Sequence, residues 1–73
     1  MRTDPQIAGI IQLRLDIARE LDASFALSLL ERARLRLQLI TIVDCFNEGR
    51  LTAEDAMVRL ERLHTEVTSA VIA

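Results

Sequence analysis

Glu61 and His64 stand three residues apart, an E-x-x-H pair that a helix would set side by side on its surface. A carboxylate and an imidazole so placed can hold iron or manganese, with further carboxylates arriving from other helices of a bundle. Glu31, on a different segment, is the candidate for that role. A short chain would complete such a site by dimerising, since symmetry doubles the ligands. The match is partial. A full bundle supplies two Glu-x-x-His motifs and two more carboxylates. Aromatic residues, often found around oxygen-activating iron, are nearly missing: two Phe, no Trp and no Tyr. E-x-x-H also arises by chance in charged helices. His64 falls at the edge of an apolar stripe, between Met57 and Val71, where a half-buried structural histidine is the plain reading. No cofactor is expected, and a di-metal bundle stands as an alternative.

The remaining reactive residue types point to less. Cys45 is the single cysteine, so no intramolecular disulfide and no cysteine-based zinc site is available. Among Val43, Asp44 and Phe46 it reads as a buried thiol. Cys45 with His64 would give a nucleophile and its base, but a chain of this size has little left to enclose a substrate. Gly9 and Gly49 are the only glycines, which excludes a glycine-rich phosphate loop. No catalytic residues are assigned. Arg32, Arg34 and Arg36 form one basic cluster, yet the chain carries nine basic against eleven acidic residues, a net charge of −2. Phosphate recognition needs a concentrated positive field, so nucleic acid and anionic lipid are disfavoured as partners. A small DNA-binding regulator stands as a second alternative. It would read DNA through a strand bearing Arg34, Arg36 and Gln38, because the third segment is too acidic for a recognition helix.

These residues need a scaffold, and the chain is short for one. Its 73 residues make one domain. Alone, a chain of this size buries only about 60% of its unfolded surface, so small domains add a disulfide, a metal or a partner subunit. The apolar content is 51% and mainly aliphatic, which favours association. All nine basic residues are Arg, read here as the codon bias of a GC-rich, bacterial genome. The start, Met1-Arg2-Thr3-Asp4-Pro5, lacks the apolar core of a secretion signal. The longest uncharged run, Pro5 to Leu13, falls short of the roughly 20 residues of a membrane span. A cytoplasmic location is the expectation.

Periodicity predicts three helices, near 5–22, 26–47 and 53–71. The third is the clearest. Gly49 breaks the preceding element, Thr52 offers a capping hydroxyl, and Glu54 and Asp55 suit a first helical turn. Ala56, Leu60, Leu63, Val67 and Ala70 then recur at helical spacing. The first segment is expected to start with Asp4 as cap and Pro5 at the first helical position. Its join to the second is less marked: a turn is expected near Asp22–Phe25, and Asp22, Ser24 and Ser28 are all candidate caps, Ser28 with Glu31 at capping-box spacing. One continuous helix from Pro5 to Phe46 is the competing reading. Strands are another, because Ile11 to Ile17 and Arg34 to Leu39 alternate in polarity.

The second segment carries two apolar stripes. At about 100° per residue, Leu29, Leu30, Ala33, Leu37 and Ile40 form one, and Leu35, Leu39, Ile42 and Phe46 the other, on the opposite side. Arg32 and Arg36 mark one border between them. A helix apolar on both sides needs two things to pack against. The expectation is therefore an all-α, three-helix domain with the second helix central, assembled as a homodimer or higher helical bundle. Its function would be non-enzymatic: an adaptor, small chaperone or inhibitor offering a helical surface to a protein partner. The contact residues expected are Leu35, Leu39, Ile42 and Phe46, with Arg32 and Arg36 as rim charges. Arg14 and Asp44 each interrupt an apolar stripe. An ion pair between segments or between subunits would account for both.

Overall fold

A computed structural model describes residues 5–23 and 26–72 and contains three α-helices, α1 (Pro5–Ala23), α2 (Leu29–Asn47) and α3 (Ala53–Ile72). No strand occurs among the described residues, and both alternating stretches are helical. Leu, Arg and Gln are good helix formers, and that preference prevails over the alternation. The first two helices are separate elements. Ser28 ends the connection between them, its backbone extended and its hydroxyl accepting a hydrogen bond from the Glu31 amide at 3.1 Å. The expected Asp4 cap lies outside the described residues, as do Ser24 and Phe25 of the expected turn.

The second break follows helix-termination chemistry. Gly49 adopts a φ of +79°, the left-handed conformation that costs glycine least. The Gly49 amide donates to the Phe46 carbonyl and the Arg50 amide to the Cys45 carbonyl, so two carbonyls orphaned at the end of α2 are satisfied. Three residues later the Thr52 hydroxyl accepts from the Asp55 amide at 3.1 Å and starts α3.

Cross-helix neighbours give the topology. Asp22 pairs with Arg36, Arg34 with Glu66, and Glu20 with His64. The chain therefore runs up, down and up, with α2 antiparallel to both other helices. The core draws Ile10, Ile17 and Leu21 from α1, Leu35 and Leu39 from α2, and Ala56, Leu60, Leu63 and Val67 from α3; Leu27 closes it from the connection. α3 provides the largest share and packs most closely on α1. Gly9 faces this seam, and a Cβ there would stand 3.4 Å from Met57 Cε, at ordinary contact distance.

This arrangement corrects the expected placement of the second helix. α2 is not the central rod; it is the most loosely held of the three, and its contact with α1 is the slightest. The physical reason is the division of its apolar surface. α3 commits a single stripe to the interior, whereas only one of α2's two stripes can face inward at a time.

Candidate protein-docking face

The stripe of α2 that turns inward is Leu35 and Leu39, with Ile42 and Phe46 packed against the core behind them. These are the four residues expected to contact a partner, and the chain uses them for itself. The opposite stripe is left in water. Leu29 and Leu30 are each 82% exposed, Leu37 64% and Ile40 49%, and Ala33 between them is exposed too. Single exposed apolar residues are ordinary, but a contiguous row on one helix face marks an interaction surface.

α1 extends this surface. Ile7, Ile11 and Leu15 repeat every fourth residue, and all three are exposed. Because α1 and α2 touch so little, a groove of about 400 Å³ opens between them, walled by Leu15, Ala18, Leu39, Ile40 and Val43. Arg14 and Asp44 also line this groove. No ion pair joins them within the chain, so the inter-segment form of the expected charge pair is absent. Of the two expected rim charges, Arg36 is held by Asp22 and Arg32 is half-buried.

The other flank of α2 is polar. The Arg34 guanidinium donates to Glu31 at 2.6 Å and to Glu66 at 3.0 Å, tying α2 to α3. These bonds hold the Glu31 carboxyl below its ordinary range, mainly through the hydrogen bond from Arg34, and push the Arg34 pKa up. Beyond this clamp a second groove, of about 490 Å³, runs between α2 and α3 past Leu37, Ile42, Arg59 and Arg62. Gln38 and Thr41 line it as well.

The candidate metal ligands are dispersed. Glu31 is occupied by Arg34. His64 Nε2 lies 3.6 Å from Glu20 Oε1 across the α1–α3 seam, and the Thr68 hydroxyl donates to the other Glu20 oxygen at 3.3 Å. Glu61 is exposed on the outer side of α3. Among the described residues no three His, Cys, Asp or Glu side chains converge on one point. Cys45 is a half-buried free thiol, and no hydrogen bond joins it to His64. Arg34 and Arg36 sit on a helix, each engaged by a carboxylate, so the strand-borne DNA reader has no strand. No helix among the described residues is long and apolar enough to cross a membrane.

Both stripes of α2 carry a helical seam pattern. Leu30, Ala33, Leu37, Ile40 and Asp44 are spaced three, four, three and four, the seam pattern of a coiled coil. The inward stripe, Leu35, Leu39, Ile42 and Phe46, is spaced four, three and four, the same pattern, so spacing does not choose between the two. Comparison of the chain with protein-family models, with curated proteins and with solved structures finds no match.

Proposed function

We propose that this protein is a non-enzymatic interaction module, an adaptor, chaperone or regulator type, that works by docking an apolar helix on the outer face of α2. One observation carries the reading. Leu29, Leu30, Leu37 and Ile40 stay exposed in a continuous row although Leu35 and Leu39 on the same helix are buried. Leaving such a row in water costs roughly 25 cal/mol for each Å² of apolar area, and a docked helix recovers that free energy. Two borders of the row carry fixed charges, Arg36 bound to Asp22 and Arg34 bound to Glu31 and Glu66. They are held in place before binding and contribute orientation more than affinity.

Affinity capture from native extract, read by mass spectrometry and paired with solution mass, tests this. Leu37→Glu places a charge in the middle of the row, while Val58→Glu alters an exposed apolar residue on α3 away from it. Assembly, whether with another protein or with itself, is expected to be lost in the first variant and kept in the second. Equal behaviour of the two variants refutes the docking face.

A further inference from the structure

The exposed α2 row and the α1–α2 groove lie on the same flank, and that flank carries two charges, Arg14 and Asp44, that find no partner among the described residues. We propose that the occupant of this face is a second copy of this chain. The two copies are related by a two-fold axis along the bundle. Each α2 seats in the other copy's α1–α2 groove, and Arg14 of each copy pairs with Asp44 of the other. The proposal rests on the docking-face reading above and names its partner.

Helix register supports it first. The Asp22–Arg36 ion pair fixes how the antiparallel α1 and α2 align. Eight residues along each helix from that pair stand Arg14 and Asp44, which are therefore level with each other across the groove both line. Neither side chain makes an ion pair or hydrogen bond among the described residues. A two-fold axis parallel to the helices carries every residue to its own height in the other copy. It therefore sets Asp44 of one copy beside Arg14 of the other, and does so twice. An unrelated partner would need an acid and a base at that one height; this chain already has both.

Shape supports it second. An isologous interface requires one patch to be complementary to itself. Here a ridge (Leu30, Ala33, Leu37, Ile40) adjoins a groove walled by Leu15, Ala18 and Val43, so the ridge of each copy has a groove to enter. The ridge has the spacing of a coiled-coil seam, which suits a helix lying along another at a shallow angle. Size agrees as well. The molecule measures 39 × 20 × 17 Å, so one long flank matches the ~800 Å² per partner of a standard specific interface.

Sedimentation and light scattering of the intact chain across a dilution series, to about 100 µM, test the assembly. The wild type is expected to be a dimer there. Arg14→Asp and Asp44→Arg, each alone, place like charges opposite each other and are expected to weaken the dimer by at least about tenfold. Mixed in equal amounts, the two variants regain both pairs, one in the native sense and one reversed, and are expected to form a heterodimer of near wild-type strength. Both sites are exposed, so helical circular dichroism is expected to stay unchanged. Arg14→Gln and Asp44→Asn, run in parallel, remove charge without reversing it and are expected to weaken the dimer less. A wild-type monomer at the top of the series overturns the proposal, as does indifference to charge reversal or a mixture that fails to pair. The docking face fails separately, by indifference to Leu37→Glu. A monomer that still captures another protein through Leu37 sinks the second copy alone.

Discussion

Gly9 and Gly49 occupy opposite situations, and the same change should act on them with opposite sign. Gly49 holds a φ of +79°, where a side chain would meet its own backbone. Gly49→Ala is expected to destabilise the fold by about 1–2 kcal/mol. Gly9 sits inside α1 with no such φ, and a Cβ there would meet only the flexible tip of Met57 at ordinary contact distance. Gly9→Ala is expected to stabilise by about 0.5–1 kcal/mol, since alanine loses less backbone entropy in a helix. Urea titration of both variants, read by circular dichroism, checks the pair. Gly49 as a helix stop was legible in the sequence, because it falls between two periodic segments. The Arg34 clamp was not. Its two acceptors are Glu31, three residues away on α2, and Glu66 on α3, and only folding brings the second within reach. Ser28 and Glu31 show both cases. The spacing announced a capping box, and the hydroxyl does take the Glu31 amide, but the Glu31 carboxylate turns to Arg34 instead of back to the cap.

α3 and α2 show how much one helix can say about its own burial. Ala56, Leu60, Leu63 and Val67 form a single stripe on α3, and all four are in the core. No other face of α3 competes, so periodicity alone sufficed. α2 offers two stripes of similar character on opposite sides, and its own residues do not choose between them. Leu35 and Leu39 are the pair that turns inward, joining Leu21, Leu60 and Leu63 of the other helices in one core, while Leu30 and Leu37 stay exposed. Weak attachment of α2 makes its ends matter. Ser28→Ala removes the acceptor for the Glu31 amide and is expected to cost about 0.5–2 kcal/mol. Because α2 has few contacts with α1, part of that loss should appear as local opening. Amide hydrogen exchange is expected to accelerate over the first turns of α2 before it does in α3; uniform acceleration through all three helices would count against a loosely held α2.

At the scale of the molecule, two leucines of α2 separate folding from the proposed assembly. Leu35 is fully buried and Leu37 is 64% exposed. Leu35→Ala should cost about 2–5 kcal/mol, through lost burial and the cavity left behind. Leu37→Ala should cost little in dilute solution. If the α2 row is covered in an assembly, the wild-type melting temperature rises with protein concentration and that of Leu37→Ala does so much less, because association stabilises the folded state by mass action. Differential scanning calorimetry across a concentration series reads both effects. Parallel concentration dependence in the two proteins would place the interface elsewhere. The three-helix core is small, with one connecting residue, Leu27, helping to close it. That leaves a domain of this length little stability to spare, and a subunit partner is one of the few ways to add some.

The sequence by itself determined the all-helical class, three elements with boundaries within a few residues of those observed, the stop at Gly49 and the start after Thr52, and it offered Ser28 as one of three caps for the second helix. It also determined that α2 is apolar on two sides. These are local properties, read from periodicity and from side chains bonding to their own backbone. Which side of α2 faces inward, that α3 and not α2 lies at the centre, and that Arg14 and Asp44 share a height were decided only by the tertiary structure. The reason is common to all three. Each depends on how helices distant in sequence compete for one small interior, and a helical wheel carries no information about its neighbours.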